Sequence, residues 1–352
     1  MFGVVQIRQK EKKEIMSGEI VLLAHGGGGR MTDELIRNVI LSAFGNFTLN
    51  KLTDAAEIQI GQNNISFTTD GFVVKPLFFN GGDIGKLAIC GTINDLAVSG
   101  AKPKALSLSL IIEEGLEIEV LRQLLNSAAK TAKEENVEVV CGDTKVVEAG
   151  AADKLFINTS GIGLKLPKAN IGFERIQPGD KIIISGTIGD HGMTIMSQRE
   201  GMKFDTDIQS DCGSVAHICA NVIEVCGEDI KFMRDPTRGG LAATLNEIVR
   251  QTSTAIEIDE ESIPVNPSTR AAAEMLGFDI LDIANEGKVV IIVSADKAEK
   301  CLAVCRQSKN GKNAAIIGQV VKSDEPMVEL ITKIKARRIV QMPYGRELPR
   351  IC

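Results

Sequence analysis

Apolar positions along this chain recur with two different periods. Residues 65–69 read as a short strand, residues 85–99 carry helical spacing, residues 105–112 alternate with the period of a half-buried strand, and residues 116–135 return to helical periodicity. Residues 137–140 and 155–159 predict further strands, and the first half closes near Lys165-Leu166-Pro167. A linker is expected over residues 173–180, where Pro178-Gly179 makes a turn. The second half restarts with a strand at 181–185, and strands at 255–258, 289–294 and 314–317 are separated by helical stretches such as 241–250. This mixture predicts an α/β (α+β) chain with a second core of its own.

Length agrees, since 352 residues at about 150 per domain make two domains. The divisions expected are an extension at 1–19, a domain at 20–166, a second α/β domain at 167–325, and a C-terminal segment at 326–352. Hydrophobic residues at 44% and charged residues at 24% are ordinary for a globular chain. Apolar runs such as 289–293 fall far short of the roughly 20 residues a membrane helix needs.

Charge excludes more. A net charge of −6, no Trp and one Tyr provide neither a basic surface for nucleic acid nor a base-stacking platform. Residues 1–18 intersperse Arg8, Lys10, Lys12 and Lys13 with Glu11 and Glu14 and lack an apolar core, which predicts no export signal and a cytoplasmic protein. The eight cysteines include no Cys-x-x-Cys pair and read as reduced thiols. Cys212, Cys219 and Cys226, with Val215 and Val222 between them, predict one helical seam in the core. Successive thiols there would stand about 10 Å apart, too far to share a zinc. Cys301 and Cys305 also read as core, and the dispersed His25, His191 and His217 give no zinc signature.

Candidate chemistry lies in short polar motifs. Gly26 to Gly29 follow an apolar run and precede Arg30, as a loop that brings backbone N–H groups near a phosphate or as a plain turn. No Gly-Lys-Ser or Gly-Lys-Thr follows, so this is not a Walker A loop. Asp70, Asp83, Asp95 and Asp143 stand beside glycines at strand ends or in a helix-like segment. Carboxylates so placed can converge on Mg²⁺, although each alone also suits a turn or helix cap. Asp235-Pro236-Thr237-Arg238-Gly239-Gly240 has the form of an ordinary helix start, and Gly186 to Gly192 that of a strand-to-helix turn or an anion nest. Glu286 precedes a buried strand, where a raised pKa would suit a general base and exposure would make it a turn residue. Cys352 ends a segment interrupted by Pro343, Gly345 and Pro349, expected to extend as a mobile arm whose thiol carries an intermediate between sites.

Taken together, His25-Gly26-Gly27-Gly28-Gly29, Thr69-Asp70-Gly71-Phe72, Gly81-Gly82-Asp83-Ile84-Gly85-Lys86-Leu87-Ala88, Gly91-Thr92-Ile93-Asn94-Asp95-Leu96, Cys141-Gly142-Asp143-Thr144-Lys145-Val146-Val147, Asp235 to Gly240 and Pro349-Arg350-Ile351-Cys352 resemble the HypE family of hydrogenase maturation proteins. These belong to the AIR synthetase-like (PurM-like) ATPases. The resemblance implies an N-terminal sheet that pairs with its twin in a homodimer, an ATP site at that interface, and a C-terminal α/β domain carrying a flexible tail. In the family, HypF transfers a carbamoyl group to the terminal cysteine, here Cys352. ATP-dependent dehydration then makes an S-cyanide, which passes through the HypC–HypD complex to the iron of NiFe hydrogenase.

Residue by residue, the resemblance implies catalysis by Cys352, Lys145, Glu148 and Glu286. It implies nucleotide contacts from Gly27, Gly28, Gly29, Asp70, Asp83, Asn94, Asp95, Asp143, Thr144 and Arg238, and Mg²⁺ ligation by Asp70, Asp95, Asp143 and Asp235. Two positions depart from the family pattern. Asn80 stands where Pro is usual, and Ala149 to Ala152 lack a His that many relatives carry, leaving Glu148 or water to serve. Sister enzymes such as thiamine-monophosphate kinase or selenophosphate synthetase would share the Asp cluster without needing Cys352.

Overall fold

The alternating run near residue 105 forms the middle of a long strand that organises the first half. A computed structural model describes residues 20–201, 208–345 and 350–352. A short helix α1 (Arg30–Leu35) leads to strands β1 (Ala56–Ile60), β2 (Asn63–Phe72), β3 (Phe78–Phe79) and β4 (Gly82–Asp83), then helix α2 (Ile84–Val98). Strand β5 (Ala101–Glu113), helix α3 (Ile118–Glu134) and strands β6 (Glu138–Val147) and β7 (Leu155–Lys165) complete this half. Five strands form one sheet in the order β1-β2-β7-β5-β6. Pairing is antiparallel except between β5 and β6. Crossover through α3 permits that parallel pair, because parallel neighbours need a long connection.

Helix α2 is apolar on nearly every side, and every residue of it except Lys86 and Asp95 is buried. A helix of that kind belongs in the interior. It packs against β2, β7, α3 and, across the domain boundary, helix α5 described below. Gly91 admits the Phe72 ring, whose Cζ would stand 2.8 Å from an added Cβ.

The second half contains β8 (Lys181–Ile184), α4 (Asp190–Arg199), α5 (Ala216–Cys226), β9 (Ile230–Arg234), α6 (Gly240–Thr252), β10 (Ala255–Asp259) and α7 (Pro267–Leu276). Then come β11 (Val290–Val293), α8 (Ala298–Gln307), β12 (Ala315–Val321), β13 (Val328–Ile331) and β14 (Arg337–Ile339). Its sheet has the order β14-β13-β10-β12-β8-β11-β9. Side chains alternate across a strand, so Ile182, Ile184, Val290 and Ile292 meet α6 on one face. Ile183, Ile291 and Val293 meet α5 and α8 on the other.

Cys219, Cys226, Cys301 and Cys305 lie within that second layer as core residues. The predicted seam is shorter than the seven-residue spacing suggests, because Cys212 and Val215 precede the helix that begins at Ala216. Local hydrogen bonds hold this stretch out of the helix: Ser210 Oγ accepts from the Cys212 amide and Ser214 Oγ from that of Ala216. The C-terminal segment after Pro326 begins within the sheet, which β13 and β14 extend.

Asn94, expected at the nucleotide, joins the two halves instead. Its Nδ2 donates to the carbonyls of Gly213 at 3.1 Å and Glu286 at 3.3 Å, and its Oδ1 accepts from the Val215 amide at 2.8 Å. Replacing Asn94 with Leu strands these groups in the interior. The expected loss is about 3 kcal/mol of unfolding free energy, checked by denaturant titration. A shift within about 0.5 kcal/mol, typical of surface substitutions, would contradict this role.

Candidate functional site

Neighbouring ends of both domains enclose a cleft of about 430 Å³ whose walls include Gly28, Asp70, Asp95, Asp235, Arg238, Glu286 and Cys352. Each side chain is placed by a different element. Asp70 sits near the end of β2 and Asp95 on one of the two positions of α2 that are not buried. Asp235 follows β9 directly, and Arg238 occupies the turn before α6, where Gly239 and Gly240 both take positive φ, at 76° and 61°. Glu286 lies ahead of β11.

The cleft collects negative charge out of water. Thr68 donates to Asp95 Oδ2 at 2.8 Å, yet desolvation, reinforced by Asp235, Asp54 and Asp70, pushes the Asp95 carboxyl well above the usual range. Desolvation raises Asp235 to about 8, with Asp54 adding and Arg234 opposing. Asp70 is raised by desolvation against the pull of Arg238. Glu286 is 3% exposed, its Oε1 has no hydrogen-bond partner among the described residues, and desolvation foremost drives its pKa well upward. Burial also raises the Cys352 thiol, which Arg238 counteracts.

Arg234 is the compensating cation that sequence reasoning missed. It pairs with Asp54 at 3.1 Å and with Glu247 at 3.1 Å. A charged dipeptide, Arg234-Asp235, at the end of an apolar strand was the available signal; Asp54, in a loop, offered none.

Other predicted residues lie elsewhere. Asp83 caps α2, accepting from the amides of Gly85 at 2.8 Å and Lys86 at 3.0 Å and from Ser127 at 2.5 Å, so its oxygens are engaged away from the cleft. Asp143, Thr144 and Lys145 are exposed on β6 and Glu148 is exposed just beyond it. Asp143 pairs with Lys145 at 2.5 Å. The register runs from Asp70 to Thr159, Leu108 and Gly142, so three strand spacings, about 14 Å, separate Asp143's strand from Asp70's. Within one chain these residues do not join the cluster. Among the described residues, no three His, Cys, Asp or Glu side chains are grouped so as to hold a metal ion.

The glycine run is tight for a different reason from the one expected. A Cβ on Gly27 would stand 2.3 Å from the carbonyl oxygen of Gly345, one on Gly28 2.3 Å from Cβ of Arg238, and one on Gly29 2.2 Å from the Pro343 oxygen. These glycines therefore pack on the C-terminal segment and Arg238; Gly28 and Gly29, but not Gly27, also line the cleft. Nor does the end of the tail extend outward as an arm: Ile351 is 2% exposed and Cys352 lies in the cleft.

Residues 52–165 match the N-terminal domain, and residues 177–331 the C-terminal domain, of AIR synthase related proteins. The chain is 46% identical over 343 residues to the carbamoyl dehydratase HypE of Bradyrhizobium diazoefficiens, covering 97% of this chain and 99% of that one. The chain belongs to the HypE family. HypE of Escherichia coli K12 is 42% identical over 337 residues, covering 94% of this chain and 99% of its own. A HypE solved in complex with HypF superposes with a TM-score of 0.84 at 48% identity, over 88% of this chain and 99% of that one. A HypE solved with ATP gives 0.80 at 43% identity, over 95% and 100%. The AIR synthetase-like fold expected from the motifs is thus found in this HypE-family chain. It is shared with a thiamine monophosphate kinase of Aquifex aeolicus at 16% identity and a TM-score of 0.64.

A pH dependence follows from Asp235. Its folded-state pKa of about 8 lies above the ordinary 3.8, so the folded chain binds this proton more tightly than the unfolded chain does. Stability should therefore fall as pH rises from about 4 to about 8, and Asp235→Asn should flatten that slope. Unfolding free energies measured across this window check it, and stability that rises with pH would refute the assignment.

Proposed function

We propose that this chain is the ATP-dependent carbamoyl dehydratase of NiFe hydrogenase maturation, with Cys352 as the thiol that carries the group. The observation that carries this reading is the meeting of Cys352 with Arg238, Glu286 and Asp70 in one cleft. The relatives solved with HypF and with ATP support HypF as the carbamoyl donor and ATP as cosubstrate.

Dehydration takes one oxygen, which leaves on phosphate, and two amide protons from a carbamoyl sulfide, one to Glu286 and the other to phosphate or solvent, and leaves a nitrile. ATP with Mg²⁺, when bound, supplies phosphoryl transfer that makes the amide oxygen a leaving group, with charge neutralised on the phosphates. Cys352 holds the carbamoyl carbon at the cleft. Glu286, whose buried Oε1 lacks a partner among the described residues, accepts an amide proton there. Arg238 stabilises negative charge that develops beside the sulfur.

Asp70, Asp95 and Asp235 suit Mg²⁺ on two grounds. Their mutual repulsion is relieved by a divalent cation. An incomplete protein cage also matches the way Mg²⁺ is usually held, by one or two carboxylates together with phosphates.

The exposed β6, with Val139, Val140 and Val146 open to solvent, supports pairing with a second copy. In that homodimer Asp143, Thr144, Lys145 and Glu148 of each chain serve the cleft of the other. The HypC–HypD complex is the acceptor of the cyanide, and the setting is cytoplasmic. Among the described residues, no helix is long and apolar enough to cross a membrane.

Mass spectrometry of the tail tests this reading. Wild type should gain one carbamoyl group from HypF and then lose one water only with ATP present. Cys352→Ala should bind ATP yet gain no carbamoyl group; a gain on another cysteine would sink the carrier assignment. Glu286→Gln should accept the group and dehydrate it at least about a hundredfold more slowly. Conversion at the wild-type rate would remove Glu286 from the chemistry.

A further inference from the structure

The tail enters the cleft held by its main chain. The Arg199 guanidinium donates to the Arg350 carbonyl, His191 Nε2 to the Ile351 carbonyl at 2.9 Å, and the Val73 amide to the main-chain oxygen of Cys352 at 3.0 Å. Three successive main-chain oxygens thus meet three donors, two from α4 and one from the residue that follows β2. Around them, the Arg350 side chain reaches the Val73 carbonyl at 3.0 Å and Asp153 at 2.7 Å. The Ile351 side chain fills an apolar socket that includes Phe72, Leu77, Phe79 and Ile195.

His191 is fully buried at the start of α4 and sets its ring edge-on to Phe79 with centroids 5.4 Å apart. Its tautomer follows from its neighbours. A carbonyl only accepts, so Nε2 carries the hydrogen that faces Ile351. Nδ1 then accepts from Ser210 Oγ at 2.8 Å, and that oxygen in turn accepts from the Cys212 amide. Burial above all lowers the His191 pKa, which favours the neutral ring that this relay uses.

We propose that His191 is a positioning residue, whose Nε2–H, with Val73 and Arg199, forms a carbonyl clamp that seats the tail in the one register presenting the Cys352 thiol to Arg238 and Glu286. The catalytic meaning of the clamp rests on the carrier reading of Cys352. A slip of one residue would take Ile351 out of its socket and shift Cys352 from its place in the cleft. Because the grip is on backbone, it does not depend on what the sulfur carries, and the free, carbamoylated and cyanylated tails are all held by it.

Alkylation of Cys352 by iodoacetamide in the full chain, read on the C-terminal peptide, reports tail opening without any carbamoylation. His191→Phe keeps ring packing and removes the donor. It should raise the alkylation rate about tenfold, the effect of leaving one buried acceptor unpaired. His191→Gln restores an N–H near the Nε2 position and should return the rate to within about twofold of wild type. Single-turnover dehydration should slow in the first variant and recover in the second.

A wild-type alkylation rate in His191→Phe, or a rate in His191→Gln as fast as in His191→Phe, overturns the clamp. Where His191→Phe does not fold, Arg199→Met carries the test: faster alkylation supports the clamp and an unchanged rate overturns it. The expected alkylation pattern without carbamoylation of wild-type Cys352 would uphold the clamp while sinking the carrier reading.

Discussion

The interior position of α2 is the constraint on which the rest depends. A fifteen-residue helix buried almost all round must be covered by two layers, the N-terminal sheet on one side and the C-terminal domain on another. Asn94 and Asp95 are adjacent on it, yet they face different surroundings. Asn94 turns into the domain boundary, where its amide satisfies three backbone groups. Asp95 turns into the cleft, where it meets other carboxylates. One helix therefore fixes both the relation between the domains and the place of a charged site.

That site is costly to the folded chain by itself. Asp70, Asp95, Asp235 and Glu286 all have their pKa values raised by desolvation, with Arg234 and Arg238 as opposing cations. Structural ion-pair networks tend to balance their charges, whereas sites that act on ligands retain imbalance until the ligand arrives. Oε1 of Glu286 is the sharpest example, a buried acceptor that finds no hydrogen-bond partner among the described residues.

The tail answers a mechanical problem posed by such a cleft. On the proposed carrier reading, a thiol loaded by one protein and processed in another place needs a chain end that leaves and returns to the same position. Side-chain recognition in Ile351 and Arg350, combined with backbone recognition at three main-chain oxygens, defines the return position to one residue.

The period of apolar residues determined the two-domain α/β architecture, because alternating and helical spacings are local properties that burial enforces. The motifs around Asp70, Asp95, Asp235, Glu286 and Cys352 were legible only as a set carried by the family resemblance, since glycine and acid side by side are common in plain turns and helix starts. Sequence could not tell Asp83 and Asn94 from their neighbours in the same motifs; only packing shows one as a helix cap and the other as the bond between domains. It also grouped Asp143 and Lys145 with the cleft residues, although sheet order sets them three strands away. His191 carried no signal beyond a glycine-rich turn. Its role depends on the tail's folding back 160 residues later to offer a carbonyl to a buried ring, a meeting that no local pattern encodes.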